Sequence, residues 1–269
     1  MSEVTENKKG AIRRFLELPT DSLAKTLFVA ISVCLVGSMI VSAAAVALRP
    51  TQEINKLLDK QVNILQVAGL YEDGIDVAEA FGQFEPRVLE IATGQFTDQF
   101  DAATFDDRAA SSDPELSIAL DDDPASIGRQ ARFVTAYLLR DENGDLDKVV
   151  LPLHGYGLWS TLYGFIALEA NGNDIFGLQF YEHAETPGLG AEVDNPRWKA
   201  LWAGKRLTDD DGVLQISVTK TAPAAGSDYH VDALAGATLT TAGVHNLVRF
   251  WMGEAGYAPF LANLQAGDI

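Results

Sequence analysis

Residues 132–153 read RFVTAYLLRDENGDLDKVVLPL, from Arg132 to Leu153. Two runs rich in β-branched and aromatic side chains, Arg132 to Leu139 and Lys148 to Leu153, flank Asp141-Glu142-Asn143-Gly144-Asp145. Apolar runs separated by a short Asn/Gly/Asp cluster predict two antiparallel strands joined by a tight turn. The carboxylates around Gly144 superficially suggest a calcium loop. The glycine comes too early, however, and the twelfth position from Asp141 is Pro152, where a bidentate Glu is needed.

Working outward, Tyr163 to Leu168, Ile175 to Tyr181 and Val213 to Thr219 carry the same strand signals. Helical spacing of apolar residues occurs at Pro196 to Trp202 and Thr240 to Trp251, and upstream at Glu53 to Val67 and Val77 to Ile91. The Asp-rich stretch Asp101 to Pro124 has few large apolar residues and two prolines, which reads as a surface loop. The expected fold is α+β: a mostly antiparallel sheet with packed helices.

At the other end of the chain, Thr26 to Leu48 contains no charged residue over 23 positions. As a helix this spans roughly 34 Å, enough for a hydrocarbon core of about 30 Å. It predicts one N-terminal transmembrane helix. Ala45-Val46-Ala47 resembles a signal-peptidase site, but the apolar run is longer than a signal peptide needs. Lys8, Lys9, Arg13, Arg14 and Lys25 precede the span, so the N-terminus is expected in the cytoplasm and the remainder in the periplasm. The expected organisation is a cytoplasmic segment at 1–25, the span at 26–48, a helical stalk with an acidic loop at 49–130, and a periplasmic domain at 131–269.

The formal net charge is −18; residues 1–49 hold six basic and four acidic side chains, which leaves −20 on the rest. Such a surface repels phosphate backbones and argues against a nucleic-acid partner. The single cysteine, Cys34, lies in the apolar run and cannot form an intramolecular disulfide. No Cys/His spacing suggests a metal site. The pairs Gly155/Gly157 and Gly188/Gly190 lack the third glycine and βαβ setting of a dinucleotide fold.

Three blocks stand out as candidate chemistry. In Asp232-Ala233-Leu234-Ala235-Gly236-Ala237-Thr238-Leu239-Thr240, Gly236 and Ala237 leave the chain bare beside Thr238. Val244, Leu247, Val248 and Trp251 recur at helical spacing beyond it, with Thr240 or Thr241 as N-cap and Leu239 and Val244 as a hydrophobic staple. This places Thr238 one turn before a helix N-terminus, a favourable position for a phosphate. The spacing alone equally suits a capped helix with Thr238 unmodified. In the second block, Glu185-Thr186-Pro187-Gly188-Leu189-Gly190 suits a tight turn with a flat face. In the third, Tyr156 and Trp159 stand among glycines in His154 to Gly164 and suit either an aromatic wall or core packing. His154, His183, His230 and His245 lack the companions of a catalytic triad and read as structural. Asp121-Asp122-Asp123 reads as a solvated loop.

The segment Asp232 to Thr238 resembles the flavinylation motif Asp-x-x-(Ser/Thr)-Gly-Ala-Thr, with Ala235 where the hydroxyl residue usually stands. The three blocks together resemble the NqrC family, the C subunits of the sodium-translocating NADH:quinone oxidoreductases (Na+-NQR). That resemblance extends to Lys60-Gln61-Val62-Asn63-Ile64-Leu65, Tyr181 to Trp202 and the N-terminal span. The related G subunit of the Rnf electron-transport complex shares the motif and the Glu185 to Gly190 turn. The Glu192-Val193-Asp194-Asn195-Pro196 continuation and Gly157-Leu158-Trp159-Ser160-Thr161 favour the sodium-pump family over it.

The resemblance implies an FMN-binding domain with one FMN per chain, attached by a flavin transferase through a phosphoester to Thr238. It implies Gly236 and Ala237 beside the attachment point, Thr240 near the phosphate, and the ring against Leu158, Trp159, Glu185, Thr186 and Leu189. It further implies a bacterial inner-membrane protein that relays electrons to other subunits, in a complex coupling NADH oxidation and ubiquinone reduction to sodium export. The chain alone would have no complete activity and no catalytic residue of its own. Its acidity is expected to disfavour anionic reduced flavin. A membrane-anchored, non-redox ligand-binding domain is the contrasting reading, and Ser160 or Thr161 as a hydrolase nucleophile lacks a base.

Overall fold

The computed structural model describes Pro19, residues 22–221 and residues 227–268. Most of the predicted cytoplasmic segment, including Lys8, Lys9, Arg13 and Arg14, lies outside the described residues. The chain divides into two units, residues 1–57 and 58–269.

The first unit holds most of a 45-residue helix, α1, Leu23–Val67. Its apolar stretch, with Phe28, Ile31, Val33, Ile40 and Val41 all exposed, is long and apolar enough to cross a membrane. The stalk helix expected from Glu53 is the same helix, which runs on through Pro50.

In the second unit, α2 (Val77–Phe81) leads into β1 (Phe84–Glu90) and β2 (Gln95–Thr97). Then come α3 (Asp107–Ser112), β3 (Ser117–Ala119), β4 (Arg129–Ala131) and β5 (Phe133–Arg140). The central strands β6 (Leu146–Tyr156), β7 (Thr161–Glu169) and β8 (Asp174–Glu182) follow. A 3-10 turn at Gly190–Asp194 precedes α4 (Pro196–Lys199) and β9 (Lys205–Arg206). The chain closes with β10 (Ser217–Thr219), β11 (His230–Asp232), α5 (Thr238–Met252) and α6 (Ala258–Ala266).

Seven strands form one sheet in the order β2-β1-β5-β6-β7-β8-β9, every neighbouring pair antiparallel. The hairpin read from residues 132–153 is its centre. Asp141 Oδ1 accepts the N–H groups of Asn143 at 2.8 Å and Asp145 at 3.0 Å, the geometry of an Asx turn. Both faces of the sheet are covered. Leu138, Val149, Leu151 and Ile166 pack in one core with Val244, Leu247 and Trp251 of α5. Tyr137, Val150, Phe165 and Ala167 pack in another with Ile64 and Leu65 of α1. Because successive side chains alternate in direction, a strand covered on both sides is buried on both, as β5 is from Phe133 to Leu139, with Thr135 its one polar side chain there.

Several elements differ from the sequence reading. The helix expected over Val77 to Ile91 ends at Gly82, and residues 84–90 are strand β1, paired with β5 through Val88 and Thr135. Pro86, which has no N–H to give a helix interior, disfavours the helix, and pairing with β5 along all seven residues supplies the alternative. The sheet therefore draws two strands from the 49–130 region, and residues 58–269 form one compact unit with no division at 130. The acidic stretch contains α3 and β3, with Asp106 capping α3 through Arg108 and Ala109 N–H groups at 3.0 Å. The strand expected over Val213 to Thr219 shortens to β10, whose partner β11 runs parallel to it in a separate two-stranded sheet.

Candidate functional site

The site is built where the β6–β7 loop, the turn after β8 and the start of α5 meet. Helix α5 begins two residues earlier than its apolar spacing indicated, so Thr238 is its first residue and Ala237 its N-cap. Ala237 contributes no side-chain hydrogen bond, and the free N–H groups of the first turn are therefore uncapped. Thr240 and Thr241 lie inside the helix. Leu239 does not form the expected staple: it is 60% exposed, whereas Val244 is fully buried.

The three threonines of this turn differ sharply in environment. Thr240 is buried and donates its hydroxyl to Glu185 Oε2 at 2.6 Å. The Thr241 hydroxyl donates to the Ala237 carbonyl at 2.9 Å and accepts the Leu234 N–H at 3.1 Å. Thr238 is exposed, and no described residue bonds its hydroxyl. Gly236 has φ +75°, a left-handed turn just ahead of it, and a Cβ there would meet Leu189 Cδ2 at 3.2 Å.

After β8, Thr186-Pro187-Gly188-Leu189 forms the expected turn: the Thr186 carbonyl accepts Leu189 N–H at 3.1 Å, with Gly188 at φ +75°. Glu185 just before it is only 5% exposed. Its Oε1 accepts the N–H groups of Leu158 and Trp159, both at 2.9 Å. Burial raises the Glu185 carboxyl, but the bonds from the Thr240 hydroxyl and the Trp159 and Leu158 N–H groups outweigh it and hold it below the ordinary carboxylate range. Glu185 thus carries a fixed negative charge and joins all three sequence blocks.

The second glycine of each Gly-x-Gly pair follows from this carboxylate. A Cβ on Gly157 would stand 2.6 Å from Glu185 Oε1, and one on Gly190 would overlap Glu185 Oε2 and Thr240 Oγ1. Ser160 secures the same loop by accepting the Ala184 N–H at 2.7 Å. Leu158, Trp159, Thr186 and Leu189 remain exposed, Trp159 by 63%, as do Tyr156, the other aromatic considered for a wall, and Leu239, which the sequence did not mark as a site residue. Adjacent bulky side chains of this kind, beside bare backbone and an uncapped helix of 15 residues, suit a planar ring joined to a phosphate.

The histidines hold structural positions. His230 Nε2 lies 2.8 Å from the Thr219 carbonyl, His245 Nδ1 accepts the Val218 N–H at 3.1 Å, and His183 Nε2 is 2.8 Å from Asp194. His154 is stacked on Tyr163, and burial first, then the Arg108 charge, push its pKa down to about 4. Asp123 caps the end of the acidic stretch through the Ile127 and Gly128 N–H groups. Among the described residues, no three His, Cys, Asp or Glu side chains are grouped to hold a metal ion.

Residues 157–253, which contain Leu158, Trp159, the Glu185 turn and Thr238, match the model of the FMN-binding domain family. The C subunit of the Na(+)-translocating NADH-quinone reductase of Pseudomonas aeruginosa is 49% identical over 257 residues, covering 92% of this chain and 98% of the relative. That of Vibrio anguillarum is 47% identical, covering 93% and 98%. The crystal structure of NqrC from Shewanella oneidensis superposes with a TM-score of 0.73 at 35% identity, over 79% of this chain and 99% of that one. The structure of the corresponding C subunit from Parabacteroides distasonis gives 0.64 at 26% identity, over 80% and 96%. With such identity along nearly all of its length, and an FMN-binding domain of the same fold, the chain belongs to the NqrC family, the C subunits of the Na(+)-translocating NADH-quinone reductases, each one part of an oxidoreductase complex.

Proposed function

We propose that the chain carries one FMN, joined through its phosphate to Thr238 Oγ1, and relays electrons between other subunits of the sodium-translocating quinone reductase. One observation carries this reading: of the three hydroxyls in the first turn of α5, only that of Thr238 is exposed and uncommitted, at an uncapped helix N-terminus. A flavin transferase, acting with an activated flavin phosphoanhydride, would form the Thr238 Oγ–P bond as the anhydride P–O bond breaks and the hydroxyl proton leaves. First-turn N–H groups and the helix dipole favour the resulting phosphodiester anion.

Once bound, FMN supplies one-electron chemistry, and the protein sets its position, exposure and field. Leu158, Trp159, Thr186 and Leu189 offer the wall for its ring. Gly236 and Ala237 leave space at the attachment point, while Thr240 and Glu185 hold the turn beneath. The exposure of this patch suits electron exchange with a neighbouring protein of the complex. Residues 26–48 of α1 anchor the chain in the inner membrane, with 1–25 in the cytoplasm and the domain in the periplasm.

The test is the intact mass of the full chain, expressed in membranes with a flavin transferase, beside Thr238→Ala. Wild type should gain one FMN less one water, and the variant nothing. A wild-type chain without added mass, or a variant that keeps it, refutes the ester. Protease digestion of spheroplasts should remove the domain, and protection from it refutes the orientation.

A further inference from the structure

The Glu185 carboxylate ties together segments that are remote in sequence. It receives two N–H groups from the loop after β6 and one hydroxyl from α5, and it is nearly inaccessible to solvent. Gly157 and Gly190 are both needed to admit it, since a side chain at either would collide with its oxygens. A buried anion served by three donors is costly to misplace, because losing any partner leaves charge or polar groups without compensation.

We propose that Glu185 is a positioning residue for the flavin site: it locks the Leu158–Trp159 backbone to the first turn of α5, and its fixed negative charge lowers the reduction potential of the flavin there. This rests on the placement of FMN at Thr238. Locking the loop fixes the side chains that face the ring while leaving Thr238 as the free hydroxyl. The charge acts because reduction adds negative charge to the flavin, and an anion held nearby in a partly dry setting opposes it.

The experiment uses full-length chain in its native membrane complex, with intact mass for flavin content and a spectroelectrochemical titration for midpoint potential. Glu185→Gln keeps the shape and removes the charge, so the covalent flavin that remains should titrate at a more positive potential. Glu185→Ala should lose most covalent flavin. A folded Glu185→Gln chain with wild-type flavin content and wild-type potential overturns the proposal. Should that variant fail to fold, Thr240→Val decides: it keeps the charge but removes a donor that screens it, so the potential should become more negative, and an unchanged potential overturns the proposal. Wild-type chain without flavin on Thr238 refutes the attachment site instead, a separate outcome read from the mass alone.

Discussion

Glu185 Oε2 accepts the Thr240 hydroxyl at 2.6 Å across 55 residues of sequence, and this contact closes the candidate site. Both groups are buried, so removing the hydroxyl strands a carboxylate oxygen. Thr240→Val should lower unfolding free energy by about 2 kcal/mol, the scale of a hydrogen bond to a charged group. Thr240→Ser should cost less. Urea unfolding of the solubilised chain, followed by tryptophan fluorescence, measures both, and an unchanged midpoint for the valine variant contradicts the contact.

The glycines of the Glu185 turn should differ in tolerance. Gly188→Ala meets no atom within 4 Å but must adopt φ +75°, at a cost of about 1–2 kcal/mol. At Gly190 an added methyl overlaps Glu185 and Thr240, and the displacement of a buried ionic contact should cost about 3 kcal/mol. The same unfolding measurement ranks the two. Equal or reversed costs would show that Glu185 is not held as described.

His154 predicts acid sensitivity. Its folded pKa of about 4 lies below the ordinary histidine value of 6.5, so the unfolded chain binds the proton more readily between these limits. Stability should therefore rise with pH from about 4 to 6.5 and fall as pH drops through the same window, by about 3 kcal/mol if the whole shift is expressed. Replacement by Asn should flatten that part of the profile. A wild-type slope in the Asn variant assigns the pH dependence elsewhere.

Lys60 and Asp107 form a pair at 3.9 Å, with the Lys60 ammonium 5.6 Å from the centre of the Tyr137 ring. Burial opposes the Lys60 ammonium, yet Asp107 and Tyr137 more than offset it and raise its pKa; burial also raises the Asp107 carboxyl. Lys60→Met should cost about 2 kcal/mol, between exposed and buried pairs. Adding Asp107→Asn should recover part of that loss, because it removes the stranded anion. Additive costs in the double variant would exclude coupling between the two charges.

Local pattern alone was sufficient for much of this chain. The β-branched runs on either side of Asp141–Asp145 specify a hairpin, because alternation and turn chemistry act over a few residues. The uncharged run from Thr26 to Leu48 specifies a helix able to span a membrane, and the motif ending at Thr238 puts that residue forward as the attachment point proposed above.

Tertiary structure decided the rest. Residues 84–90 became a strand because β5 offered an edge and Pro86 denied the helix. That Thr240 gives up its hydroxyl depended on Glu185, 55 positions away, and the need for Gly157 and Gly190 depended on where that carboxylate came to rest. Such choices follow from hydrogen bonds and collisions between remote segments, which have no period or spacing along the chain until the sheet brings them together.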